Sequence, residues 1–279
     1  MSKLVFMVDS TCDVPKKFLE DNDVVVLPLN YSIGEEEKAW QCGDDEDFKV
    51  FYEKMEKGDL VRTSLVSYVY AYSFMEPYFK NGDDIVFLGL SSGLSSTWQN
   101  EFNAGTDLAK KYNCRFFAPD TKQPSAAAYL ILKEMVKINN FDLITKEIDK
   151  FYKNVSTFFT VSSLSYLHRS GRLSTTATLI GGMLNIKPII TVTKKGTLES
   201  IGKVMGKNKS IQTIASQARN INKKYPDCII VHANVMEDAK MLAEKVQEEC
   251  EYAKIEICNL GFIIGTHTGP GTLGLCYRK

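Results

Sequence analysis

A chain of 279 residues with 34 Lys+Arg against 34 Asp+Glu carries no net charge, which argues against a sequence-independent nucleic-acid binder, since that needs a basic face to neutralise phosphates. Its 44% hydrophobic content supports one large core or two medium ones. Seven cysteines, odd in number and without a Cys-x-x-Cys pair, argue against a disulfide framework or a cysteine-rich zinc site and fit a reducing cytoplasm.

The opening apolar run Leu4–Val8 is too short for a signal peptide and reads as a first strand. No segment reaches the length needed to span a bilayer. Pro15 suits the first turn of a short helix, Pro15–Glu20. The β-branched run Val24–Leu29 predicts a strand. Acidic residues followed by the stripe Phe48, Phe51, Tyr52 and Met55 predict a helix from Asp44 to Lys57, ended by Gly58. A further helix is expected over Ser67–Phe79. Then come strand Ile85–Leu90, helix Leu94–Tyr112, strand Arg115–Ala118 and helix Ser125–Lys137. That alternation predicts a parallel sheet covered by helices. Asp9-Ser10-Thr11, Ser91–Thr97 and Asp120-Thr121 all follow strand candidates, so they converge on the sheet edge where ligands bind in such folds.

The second half differs in texture. Strands are expected at Thr157–Val161 and Ile189–Thr193, with Thr197–Ile201 pairing back across the turn Lys194-Lys195-Gly196. Helices Ser210–Asn222 and Met236–Cys250 are each followed by a strand, Cys228–His232 and Lys254–Cys258. This predicts helices on one face of a mixed or antiparallel sheet. The change divides the chain into an N-terminal α/β domain, 1–155, and a C-terminal α/β domain, 156–279.

The densest chemistry lies in Ser91-Ser92-Gly93-Leu94-Ser95-Ser96-Thr97, five hydroxyls in seven residues at a strand-to-helix junction. Free N–H groups at a helix start and rotatable hydroxyl donors suit a phosphate or a carboxylate. Gly89-Leu90-Ser91-Ser92-Gly93 also matches Gly-x-Ser-x-Gly, which makes a serine hydrolase using Ser91 the alternative reading. That reading needs a histidine base from His168, His232 or His267. Ile264–Gly271 is a glycine-rich loop carrying His267, a candidate ligand contact, or a plain connection between strands. His232 reads as structural and His168 as a surface helix residue. Arg62-Thr63-Ser64 offers a second hydroxyl pair or a helix cap. Arg172, between Gly171 and Ser174, suits an anion or solvent. No metal-ligand spacing, GxGxxG fingerprint or Walker lysine loop occurs.

Taken together, these segments resemble the DegV family, the fatty-acid-binding proteins that serve bacterial fatty acid kinase. The resemblance rests on Val8-Asp9-Ser10-Thr11-Cys12-Asp13-Val14-Pro15, Thr63-Ser64, Ser91–Thr97, Asp120-Thr121 with Ser125, Gly171-Arg172-Leu173-Ser174, Leu184-Asn185-Ile186-Lys187-Pro188 and His267-Thr268-Gly269-Pro270-Gly271. It implies two α/β domains with a long-chain acyl group between them. It implies a carboxylate held by Thr63 and Ser95, with Ser96 next, and head-group or partner contacts at Arg172 and His267. It also implies a cytoplasmic, non-enzymatic carrier that needs no cofactor beyond its fatty acid, touches membrane surfaces transiently, and presents the acid to a partner kinase for acyl-phosphate formation. The chain departs from the family pattern at Leu65-Val66-Ser67, at Ala126-Ala127-Ala128-Tyr129, and at Met205, where the family often places an arginine.

Overall fold

The computed structural model describes residues 3–42, 47–173 and 185–279. The first half runs β1 (Leu4–Asp9), a 3₁₀ turn (Ser10–Cys12), α1 (Lys16–Asp21), β2 (Val25–Leu27), β3 (Leu29–Ile33), β4 (Glu36–Trp40), α2 (Phe48–Glu56), β5 (Val61–Thr63), α3 (Tyr68–Lys80), β6 (Asp84–Leu88), α4 (Thr97–Tyr112), β7 (Phe116–Phe117), α5 (Ala126–Ile138) and α6 (Phe141–Tyr152). A four-stranded sheet of order β2-β1-β6-β7 is parallel throughout, as the alternation predicts.

Several expectations need correction. The run Val24–Leu29 is two strands, because Pro28 lacks the N–H a ladder requires. Val25–Leu27 stays in the parallel sheet, while Leu29–Ile33 pairs antiparallel with β4 and β5 in a separate three-stranded sheet. Pro15 is the N-cap of α1 and not a residue of its first turn. Asp47 caps α2 by accepting from the Val50 N–H at 3.1 Å, and the expected start at Asp44 lies outside the described residues. Helix α4 starts at Thr97, three residues later than expected, because Leu94 N–H bonds the Ser91 carbonyl in a tight turn of its own.

The second half runs β8 (Val155–Thr160), α7 (Ser165–Arg169), β9 (Ile186–Val192), β10 (Leu198–Met205), α8 (Lys207–Ala215) with a 3₁₀ extension (Ser216–Asn220), β11 (Asp227–His232), α9 (Met236–Glu249), β12 (Lys254–Asn259), α10 (Phe262–Thr268) and β13 (Leu273–Arg278). Its six-stranded sheet, β10-β9-β8-β13-β11-β12, is antiparallel except for the β11–β12 pair, hence mixed. Strand alternation gives it two apolar faces. Cys228, Ile230, Leu275 and Tyr277 pack with α8 and α9. Ile229, Val231 and Cys276 face the other way and join the core of the first half, where α5 crosses β11 and β13. The expectation of helices on one face is thus corrected: α5 covers the second face.

The stretch Ile264–Gly271 is not an open loop. Phe262–Thr268 is a short, mostly buried helix, with Gly269 (φ +83°) ending it. Its anchor is Phe262, stacked on Phe51 at 3.9 Å and on Trp40 at 4.3 Å between ring centroids. Such a dry aromatic contact outweighs the weak helix propensity of Gly and Thr. The helix that carries His267 is thereby fixed against the first half. Among the described residues no helix is long and apolar enough to cross a membrane.

Candidate functional site

Between the six-stranded sheet and the β3, β5 and pre-α4 segments of the first half lies a cavity of about 380 Å³, within the ~300–1,000 Å³ usual for small-molecule sites. Its deep walls are aliphatic and aromatic: Leu29, Phe159, Leu167, Val231, Leu260 and Ile263. Its polar rim is built from three places. The end of β5 supplies Thr63 and Ser64, the turn before α4 supplies Ser95 and Ser96, and the end of α10 supplies His267. Arg172 stands at the mouth with an exposed side chain. All five residues singled out from the sequence, Thr63, Ser95, Ser96, Arg172 and His267, therefore line one cavity.

The rim is held by hydrogen bonds among its own members. Ser95 Oγ accepts the Thr97 N–H at 3.1 Å and donates to Thr97 Oγ1 at 3.0 Å. Thr97 Oγ1 in turn accepts the Val66 N–H at 3.2 Å, tying the α4 turn to the segment after Thr63. Asn100 closes the tie by donating to the Val66 carbonyl at 2.8 Å. Thr63 Oγ1 lies 2.9 Å from His267 Nε2, while His267 Nδ1 is buried without a partner. Burial, reinforced by the charges of Arg172 and Arg169, pushes the His267 pKa down to about 4. The imidazole is neutral at physiological pH. The rim thus carries neutral donors with one cation at its exposed edge, an arrangement that fits an anionic or acidic head group with an apolar tail.

Asp9-Ser10-Thr11, Ser91–Thr97 and Asp120-Thr121 do converge at the sheet edge. Asp9 Oδ2 accepts the Leu90 N–H at 2.7 Å, and Asp120 Oδ1 lies 3.4 Å from the Ser92 N–H it accepts. Ser91 itself faces elsewhere. It is buried and donates its hydroxyl proton to the Gly196 carbonyl at 2.9 Å, pinning the β9–β10 turn onto the loop. Among the described residues no histidine hydrogen-bonds to it. His232 accepts the Val235 N–H at 3.3 Å from a buried position, and His168 is exposed on α7. The elbow motif therefore lacks the base that would make Ser91 a nucleophile.

Thr97 and Ser125, present in the sequence motifs but not assigned to the site, also reach the cavity, as do Thr157 and Thr272, which sequence reasoning missed. Ser125 adopts a left-handed backbone (φ +56°), is bonded through its hydroxyl to Asp13, and donates its N–H to the Thr11 carbonyl. Its place in the Asp120–Ser125 segment was the available signal, but nothing local reveals that strain. Arg172 bonds its guanidinium to the Ser170 carbonyl. The rest of its motif, Ser174, and Leu184 of the Asn185 motif lie outside the described residues.

Comparison with known proteins agrees with this architecture. The DegV family, described as uncharacterised, matches residues 3–279. A DegV domain-containing protein of Clostridium perfringens is 31% identical across 99% of this chain and 98% of its own. A Thermotoga maritima structure described as revealing fatty acid binding function superposes with a TM-score of 0.83 at 25% identity, over 100% of both chains. The structure of DegV, described as a fatty acid binding protein, from Bacillus subtilis gives 0.81 at 27% identity over 99% of both. With one model spanning nearly its full length and a relative above 30% identity, this chain is a member of the DegV family.

Proposed function

We propose that this chain is a fatty-acid carrier that buries one long-chain acyl tail in the cavity and holds the carboxylate with Thr63, Ser95 and Ser96. One observation carries the reading: hydroxyls from two distant segments and a neutral histidine meet in a cavity whose remaining walls are largely aliphatic and aromatic. Relatives at 25% and 27% identity are described as fatty-acid-binding proteins, which supports the same ligand. Burying ~14 methylenes at about 0.8 kcal/mol each gives roughly 11 kcal/mol, of which association entropy takes back several. The tail therefore supplies most of the affinity. The head-group bonds, at about 1.5–3 kcal/mol, fix which end faces out.

The Thr63–His267 pair has a working polarity. If Nε2 carries the proton and donates to Thr63 Oγ1, the threonine hydroxyl is free to donate to the carboxylate. The orphan Nδ1 is then a bare lone pair, which is cheaper to bury than an unpaired N–H. Arg172 adds a positive charge where the head group meets solvent. In this reading Ser96 and Arg172, both exposed, leave the carboxylate accessible to a partner fatty acid kinase that forms the acyl phosphate. Catalysis belongs to that partner. The division at 155/156 forms part of the same reading and falls at the start of β8, with the ligand between the two domains.

The test is organic extraction of protein purified without added lipid, followed by mass spectrometry. About one fatty acid per chain is expected. Thr63→Ala with Ser95→Ala should weaken palmitate binding by roughly 10- to 100-fold, the size of one charge-assisted hydrogen bond. Folded protein that yields no lipid and takes up no added palmitate overturns the carrier reading.

A further inference from the structure

Away from the rim, the cavity wall holds hydroxyls that a carboxylate and a plain hydrocarbon tail leave unused. Thr157 on β8 and Cys276 on β13 sit opposite each other in the ladder, and both line the cavity. Helix α10, which carries His267, runs into β13 at Leu273, opposite Thr160. The Thr157–Cys276 pair lies three register steps further along the sheet, which at ~3.3 Å per residue is about 10 Å. An acyl tail that fills the cavity meets this pair with its middle, well beyond its carboxylate.

The wall hydroxyls have their protons engaged within the protein. Thr157 Oγ1 donates to Gln123 Oε1 at 3.3 Å, and both residues are buried. Thr268 Oγ1 donates to the Ile264 carbonyl at 3.3 Å and Thr272 Oγ1 to the Gly269 carbonyl at 2.7 Å. A hydroxyl has one proton and two lone pairs, so each of these oxygens can now only accept. The Cys276 thiol, 3.6 Å from Thr157 Oγ1, supplies at most one weak donor and leaves a lone pair over. The aliphatic walls Val231, Leu260 and Ile263 supply no donor. A methylene has no hydrogen bond to give, and neither has a ketone. A hydroxyl on the chain has one.

We propose that the cavity is built for an acyl chain carrying a hydroxyl near its middle, and that Thr157 determines this specificity by accepting the hydrogen bond of that hydroxyl. This specificity rests on the carrier reading above and adds to it the chemical class of the tail. A wholly apolar wall penalises a buried, unpaired hydroxyl by about tenfold or more in affinity. A waiting acceptor removes that penalty for an alcohol. It leaves the penalty in place for a ketone, which brings a second acceptor to face the first.

The experiment is calorimetric titration with stearate, stearate hydroxylated at a mid-chain carbon, and stearate bearing a ketone at that carbon, for wild type, Thr157→Val and Thr157→Ser. Valine keeps the shape of threonine, and serine keeps its hydroxyl. Wild type should bind the alcohol at least as tightly as stearate and about tenfold more tightly than the ketone. Thr157→Val should erase the difference between alcohol and ketone, and Thr157→Ser should retain it. Weaker binding of the alcohol than of stearate, or equal binding of alcohol and ketone, overturns the proposal in wild type alone, whether or not a variant folds. An unchanged preference in Thr157→Val overturns the assignment to Thr157. If wild type binds none of the three, the carrier reading falls and takes this one with it; stearate binding without the preference for the alcohol removes this one alone.

Discussion

Thr63 and His267 stand 204 positions apart in sequence and 2.9 Å apart at the rim, so the pair exists only in the folded chain. Its protonation is therefore a folding property. The folded imidazole titrates at about 4 against an ordinary 6.5, which means the unfolded chain takes up the proton first. Stability from this group is complete above about 6.5 and is lost as pH falls toward 4. Nitrogen NMR should show a neutral ring at pH 6 and a midpoint near 4. His267→Gln, which retains a donor toward Thr63, should remove this group's share of the acid loss seen in urea midpoints. A ring that titrates near 6.5 would mean that the cavity end is wetter than the buried Nδ1 implies. Both residues were legible in the sequence as members of polar motifs, yet their pairing was not, since no local pattern reports a contact of that sequence separation.

At the scale of elements, close approach decides where glycine is needed. A Cβ on Gly265 would lie 2.2 Å from Tyr52 Oη, whose proton goes to the Leu260 carbonyl at 2.7 Å. Gly265→Ala must push α10 off α2 or break that bond, and should cost about 1–3 kcal/mol in chemical denaturation. Gly202, in exposed β10 with nothing near its Cβ position, is the control: Gly202→Ala should stay within about 0.5 kcal/mol. Equal effects at the two sites would remove α10 packing as the cause. The same contact explains an error of reading. Gly-Thr-His-Thr-Gly has the composition of a loop, and only the Phe262 stack and the Tyr52 contact make it a helix. The parallel order of β1 and β6 was legible because apolar runs alternated with amphipathic helices. The three-stranded sheet was not, because β4 is nearly all exposed and carries no apolar alternation.

Across the whole molecule, Asp13 ties three parts together. From the turn after β1 its Oδ1 accepts the Gly261 N–H at 3.0 Å, at the start of the helix bearing His267. Its Oδ2 accepts the Ser125 hydroxyl at the cavity wall. Full burial, with Asp9 adding repulsion, pushes its pKa up to about 8 from an ordinary 3.8. The folded state therefore binds this proton more tightly than the unfolded chain, and the stability it confers is complete below about 4 and erodes as pH rises to about 8. Asp9 erodes stability only up to about 6, and His267 acts only below its ordinary 6.5. Between pH 6.5 and 7.5 the slope then belongs to Asp13 and to Glu101, whose pKa burial also raises. Each proton held by the folded state and absent from the unfolded one contributes about 1.4 kcal/mol per pH unit. Unfolding free energies should fall with pH in this window for wild type, by a smaller slope in Asp13→Asn, and hardly at all in Asp13→Asn with Glu101→Gln. A flat wild-type profile would show that the junction between the two halves is hydrated, and with it that the dry cavity end on which the head-group geometry depends does not persist in solution.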